Sequence, residues 1–229
     1  MMTRNRISLL AFAALLGLAI TAPALAKKSM PEVNDEGMQL VKDSELATVY
    51  ADPGADLGIY NKVMLMDATV SFKKHWQRNQ NRTGSGLRVR DSDMDRIKES
   101  VAELFAEVFT EELVDGGYEI TQEPGEDVLL LKPAIVDLDV HAPDIQGASR
   151  TWSYSESAGE MTLHLELFDS LTNDKIAKAI DRKEDYRSGW LEWRTKVSNR
   201  ADARRMMRQW AKAFRASLDE AHSATQAAN

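Results

Sequence analysis

The chain contains no cysteine. That excludes a disulfide framework, a thiolate metal site and the lipid-modified cysteine of a lipoprotein, so the fold has to stand on its core. It also lacks a basic excess: 36 acidic residues against 29 basic ones give a formal charge of −7. General nucleic-acid binding calls for a basic domain and is not expected. No apolar run beyond residue 26 is long enough to cross a bilayer. Missing as well are a zincin helix, a nucleophile elbow and a phosphate loop; "TGSG" at 83–86 has the glycines of such a loop without its Lys-Ser/Thr.

What is present begins with an export signal. Arg4 and Arg6 precede an apolar stretch from Ile7 to Ile20, and Ala24-Leu25-Ala26 supplies the small residues a signal peptidase requires. Cleavage after Ala26 and a periplasmic location are expected. An uncleaved span is the rival reading, opposed by the alanine content and by Gly17 and Pro23. Removing residues 1–26 takes away two arginines and no acid, so the mature chain is more acidic still. The remainder, roughly 200 residues, suffices for one domain with a sizeable core.

Residues 27–57 show no sustained period and read as an extended polar lead. A single domain is expected over 58–222, followed by a frayed tail at 223–229. "YNKVMLMDATVSF" alternates as a strand through Val63, Leu65 and Val70, and the polar "KKHWQRNQNRTGSGLRVR" follows as a connection. Ile97, Val101, Leu104, Phe105, Val108 and Phe109 then form a helical stripe, with a capping box at Ser92-x-x-Asp95 and a stop at Gly116-Gly117. Beyond it, "DVLLLKPAIVDLDVHA" reads as a strand with Val136, Leu138 and Val140 on the core side and Asp137, Asp139 and His141 on the wet side. Pro133 predicts a kink, a bulge or an edge there.

"GEMTLHLELFDSLTNDKIAKAI" alternates Met161, Leu163, Leu165 and Leu167 with Thr162, His164 and Glu166. Asp169 to Asp174 then supplies short polar side chains that bond neighbouring backbone, which makes a hairpin corner and leaves Ser170 without the surroundings of a nucleophile. After the charged "RKEDYRSGWLEWRTK", Ser198 caps a last helix carrying Ala203, Met206, Met207, Trp210, Phe214 and Leu218. The fold class is therefore α+β: a mostly antiparallel sheet with two helices packed on one face.

The blocks "VYADPGADLGIYNKVML", "DVLLLKPAIVDLDV", "GEMTLHLELFDSLTNDKI" and "RRMMRQWAKAFRASLDEA" resemble, in this order over about residues 38–221, a bacterial envelope family known as domain of unknown function 3313. The resemblance implies relatives that are often lipoproteins, from which this chain departs in lacking cysteine. The chain also has Asn173-Asp174 where similar hairpins prefer a Gly, a change asparagine absorbs by visiting the left-handed region. The resemblance supplies no catalytic residue.

Two functions follow from the residues. The first is a non-enzymatic, envelope-associated docking module without cofactor, whose partner is an envelope protein or an anionic envelope polymer. Its candidate contacts are Lys73, Lys74, Arg78, Arg82 and Arg88 around Trp76, a positive run within an acidic protein. Trp152 and Tyr154, in the long "HAPDIQGASRTWSYSESAG" connection, are added to these. The alternative is a metal-dependent or hydrolytic enzyme using the Asp137/Asp139/His141 face, with His164 and Glu166 opposite.

Overall fold

In the computed structural model of the protein, the structure describes residues 30–83, 88–140, 154–155, 157–186, 192–193 and 196–228. Ala24 and Ala26, the glycines at 84–86, His141 and Trp152 lie outside them. Strands β1 (Gln39–Leu40), β2 (Thr48–Ala51), β3 (Lys62–Leu65) and β4 (Thr69–Phe72) come first, and helices α1 (Trp76–Thr83) and α2 (Asp91–Asp115) follow. Then come β5 (Glu119–Ile120), β6 (Val128–Val140), β7 (Tyr154–Ser155), β8 (Ser157–Asp169), β9 (Lys175–Tyr186), β10 (Glu192–Trp193) and α3 (Lys196–Ala228).

The sheet has eight strands in the order β1-β2-β9-β8-β6-β3-β5, with β4 also paired to β6. Pairing is antiparallel from β1 to β6, whereas β3 and β4 run parallel to β6 and β5 runs parallel to β3. A separate two-stranded ribbon joins β7 to β10. The architecture is α+β around a mixed, mostly antiparallel sheet. A third helix, α1, stands where the sequence reads as a polar connection. The lead at 27–57 is also corrected: its residues 48–51 pair with Ile180 to Ala177 of β9, and Met38, Leu46 and Tyr50 are buried. The domain therefore begins well before residue 58.

The longest strands follow their alternation. Leu163, Leu165 and Leu167 of β8 are buried together with Leu129, Leu131 and Ile135 of β6 and with Ala177 and Ala179 of β9. Helix α2 adds Leu104, Phe105, Val108, Phe109 and Leu113 to this cluster, and α3 adds Met206, Met207, Trp210, Phe214 and Leu218. Each of the largest of these side chains stabilises the fold by about 1.5–3 kcal/mol through burial. The two helices meet through the rings of Phe109 and Phe214, 6.3 Å apart, and through ion pairs such as Arg200–Glu107 at 2.9 Å and Arg215–Glu112 at 2.8 Å.

Helix α2 starts one residue before the expected cap. The amide of Arg90 donates to Asp93 Oδ2 at 2.9 Å, so the reciprocal carboxylate is Asp93 rather than Asp95. Its end is as read: Gly117 adopts φ +88°, and the amides of Gly117 and Tyr118 donate to the Val114 and Leu113 carbonyls, which closes a Schellman turn. Helix α3 takes in residues 223–228, assigned to the tail by sequence. Thr225 Oγ1 bonds Asp56 Oδ1 at 3.1 Å, and the His222 ring lies 3.0 Å from the Tyr60 carbonyl, so this last stretch is docked.

Candidate functional site

Alternation breaks in β6 at Asp137, which has φ +52°, and the register with β8 slips between Val136 and Asp139. Two residues there face one on the partner strand, the signature of a β-bulge. Leu138 stays buried, while Val136 falls on the outer face with Thr162, and Asp139 pairs with Glu160. The expected face of Asp137, Asp139 and His141 therefore does not exist as one row: Asp137 is the extra residue of the bulge. Gly159 makes the bulge feasible, since a Cβ there would lie 2.3 Å from the Asp139 carbonyl oxygen. His164 is in register with Ala134 and Glu166 with Lys132, several residues along β6 from Asp139. Among the described residues, no group of three or more His, Asp or Glu side chains is placed to hold a metal ion. Pro133 is not the cause of the bulge. It sits where β6 passes from β3, paired through Leu131, to β4, paired from Ala134, so its missing amide falls between two neighbours.

The hairpin corner is built as its side chains suggest. Asp169 Oδ1 accepts from the amides of Leu171 (2.9 Å) and Thr172 (2.8 Å), and Asn173 takes φ +60°. The Thr172 amide, opposed in part by burial, holds the Asp169 carboxyl below the usual range. Ser170 is buried, and its hydroxyl both donates to the Gly125 carbonyl and accepts from the Gly125 amide, each at 3.0 Å. That hydroxyl ties two turns together.

The basic run is reorganised by α1. Trp76 is 3% exposed, stacks on Phe72 at 4.2 Å between centroids, and donates its indole N–H to the Val140 carbonyl at 2.9 Å. It is a core residue, which corrects its reading as a partner-binding anchor. Asn81 accepts from the Val89 amide at 2.7 Å, and Gln77 donates to Asp91 at 2.8 Å. Trp76 and these amides pin one side of the helix. Arg78 and Arg82, spaced four apart, lie exposed on its other side, Lys74 is exposed in the turn before the helix, and Arg88 is exposed after it.

Lys73 does not belong with them. Its ammonium lies 3.3 Å from Asp139 and 2.5 Å from Glu160, and Arg182 also reaches Glu160. The hydrogen bonds that Lys73 donates to Glu160 and then to Asp139 hold its pKa above the ordinary value, and the Lys73 bond holds Glu160 below its own. Lys74, Arg78, Arg82 and Arg88 form no ion pair among the described residues, whereas Lys73, Lys175, Arg182, Arg200, Arg204 and Arg215 all do.

Beside α1 opens a cleft of about 460 Å³, reached from β4, α1 and the start of α2. Phe72 and Met94 are among its apolar lining, and Lys73, Lys74, His75, Arg78 and Lys98 are among its basic lining. Sequence reasoning missed His75 and Lys98. The first lay inside the positive run and the second on the polar side of α2, and only the fold brings them together. Tyr154 falls in β7, away from the main sheet's pairing.

The arrangement defines an α+β domain with a basic face. The chain belongs to the family described as "Protein of unknown function (DUF3313)", whose model matches residues 33–214. No curated protein matches it. Among solved structures it is similar to the PelC dodecamer from Paraburkholderia phytofirmans, at 12% identity and TM-score 0.37 over 73% of this chain and 96% of that one. It is also similar to protein XCC0632 from Xanthomonas campestris, of family DUF330, at 11% identity and TM-score 0.40 over 77% and 93% of the two chains. Likenesses of that depth carry no functional argument.

Proposed function

We propose that the protein is a non-enzymatic docking module of the bacterial envelope, exported by residues 1–26, which holds an anionic envelope polymer against the face formed by Lys74, Arg78, Arg82 and Arg88. One observation carries this reading: four exposed cations without an acid partner among the described residues, on a protein of net charge −7 whose other surface cations are largely paired. Like charges gathered in one place on a chain with acid to spare repel one another and gain nothing for the fold, so an external anion is the partner that suits them. Their attraction to it is screened over about 8 Å at physiological ionic strength.

Replacing all four by Gln and measuring sedimentation with a defined acidic polysaccharide at low and high salt tests the reading. Binding is expected to weaken and to lose its salt sensitivity, with the thermal melt unchanged. Undiminished binding at low salt overturns it. Lys73 is left intact because its substitution would unpair Asp139 and Glu160. Export is checked by intact-mass measurement of the native protein, expected to start at Lys27.

A further inference from the structure

The cleft beside α1 has a composition that its fold does not explain. Lys74, His75, Arg78 and Lys98 line it beside Lys73, which Asp139 and Glu160 already hold, and no carboxylate is among its lining residues. The acids nearest in sequence, at the start of α2, each have a partner: Asp91 accepts from Gln77, Asp93 from the Arg90 amide and Arg96, and Asp95 from Lys98 at 3.3 Å. The Asp95–Lys98 pair is well exposed, and such pairs hold a lysine loosely.

His75 adds an independent observation. It adopts φ +66°, a conformation glycine enters freely and other residues rarely. Its side chain is exposed and has no hydrogen bond among the described residues. The turn from β4 into α1 thus holds His75 in a conformation that glycine enters most freely, and His75 is among the residues that line the cleft. The floor is rigid because Trp76 is buried beneath it and bonded to β6.

We infer that this cleft is the subsite for a single anionic sugar unit, its phosphate or carboxylate bound by Lys74, His75, Arg78 and Lys98 and its ring lying against Phe72 and Met94. The inference rests on the docking reading and names the part of the polymer that is recognised. Phosphate and carboxylate share the chemistry that matters, oxygen acceptors for charged N–H donors. A volume of about 460 Å³ exceeds what a bare oxyanion fills and falls in the range of small-ligand sites. The apolar wall suits the C–H face of a pyranose, and the cationic rim suits its anionic substituent.

The test titrates the protein, observed by amide and imidazole NMR, with glucose 6-phosphate, glucuronate, glucose and inorganic phosphate. Both anionic sugars are expected to shift the His75 and Arg78 signals, glucose to leave them in place, and inorganic phosphate to bind more weakly than the sugar phosphate. Which anionic sugar binds tighter tells a phosphorylated polymer from a uronic acid polymer. Arg78→Gln and His75→Gly, the latter keeping the backbone's preferred residue, are each expected to weaken the small ligands about tenfold, the scale of one charge-assisted hydrogen bond. Arg88→Gln, outside the cleft, is expected to leave the small ligands unchanged and to weaken only the polymer. If polymer binding persists while neither anionic sugar binds, and Arg78→Gln and Arg88→Gln weaken the polymer equally, the subsite is overturned and the docking face stands. Equal binding of phosphate and sugar phosphate also overturns it, since the ring would then contribute nothing. Binding of the sugars without binding of any polymer overturns the docking reading instead.

Discussion

Replacing Asp181 tests the way the sheet is joined to α3. Asp181 is opposite Leu163 in the register of β9 with β8, so its carboxylate points to the core side, and it is 5% exposed. Oδ2 accepts the indole N–H of Trp210, itself fully buried, at 2.7 Å, while Oδ1 accepts the Ala47 amide at 2.9 Å. Lys183 completes the charge pairing at 3.2 Å. One side chain thus links β9, the terminal helix and the segment entering β2. Asp181→Ala leaves two donors without an acceptor, one of them wholly buried, at about 1–3 kcal/mol each. A loss of about 4 kcal/mol is expected, a large share of the 5–15 kcal/mol that holds a domain together. Trp210→Phe removes the buried donor and keeps most of the ring. In the Trp210→Phe background Asp181→Ala should therefore cost about 1–2 kcal/mol less than in the wild type. Urea melts of the four proteins measure the difference. Additivity within about 0.5 kcal/mol, or a cost for Asp181→Ala below about 1 kcal/mol, would refute the reasoning.

Ser170→Ala should cost about 1–2 kcal/mol in the same melts, because it strips both partners from Gly125 at a buried site, and Ser170→Thr should recover part of it. Trp76→Ala should cost about 3–5 kcal/mol as a buried indole lost from the core, whereas a surface anchor would give a change near zero. Tyr60 is pushed up to about 12 by burial and then by its bond to Asp169, while an unfolded phenol ionises near 10. The folded state keeps that proton longer, so this share of stability is fully present below about pH 10 and is lost as pH rises through about 12. Tyr60→Phe should flatten the alkaline decline seen in melts across that window. Part of the slope should remain, because burial and then Asp219 raise Tyr118 as well.

Helix α2, the hairpin of β8 and β9 and the stripe of α3 were legible because each buries a regular set of apolar side chains, and periodicity reports burial. Helix α1 was not, since Trp76 is its only large apolar residue and the rest of its inner side is secured by Gln77 and Asn81, whose amides look like solvent-facing residues in a sequence. The sheet membership of residues 48–51 escaped notice because a four-residue strand shows hardly two periods. Asp181 escaped for a related reason: it opens the charged stretch 181–186, and only its register with Leu163 turns it inward. Most consequential was the bulge at Asp137. A strict period of two carried through that position puts Val136 on the core side with Leu138, whereas the extra residue reverses the phase of the strand and leaves Val136 on the outer face while Leu138 stays buried.

That reversal also accounts for where the basic face is found. Because β4 runs parallel to β6, the chain cannot turn back with a hairpin and must cross over, which it does through α1 and α2. The crossover leaves the sheet at the carboxyl end of β4, beside the bulged part of β6, where the Lys73 amide donates to the Leu138 carbonyl and the Trp76 indole to the Val140 carbonyl. Were the strand to keep strict alternation through Asp137 instead of forming the bulge, Asp139 would fall on the same side as the buried Ile135. With the bulge, Asp139 joins Glu160 on the outer face and engages Lys73, the first cation of the run. The acids of this corner are thereby occupied by Lys73 and Arg182, and Lys74 before α1 and Arg78 and Arg82 along it form no ion pair among the described residues. The bulged corner of β6 thus sets Asp139 beside Lys73, which serves the fold, and leaves the cations that follow it without such a partner among the described residues. Gly159→Val, whose Cβ would lie 2.3 Å from the Asp139 carbonyl oxygen, should therefore disturb the bulge, loosen Asp139 from Lys73 and lower stability together with binding, whereas the Lys74/Arg78/Arg82/Arg88 substitutions should lower binding alone; melts and polymer sedimentation on the two proteins separate these outcomes.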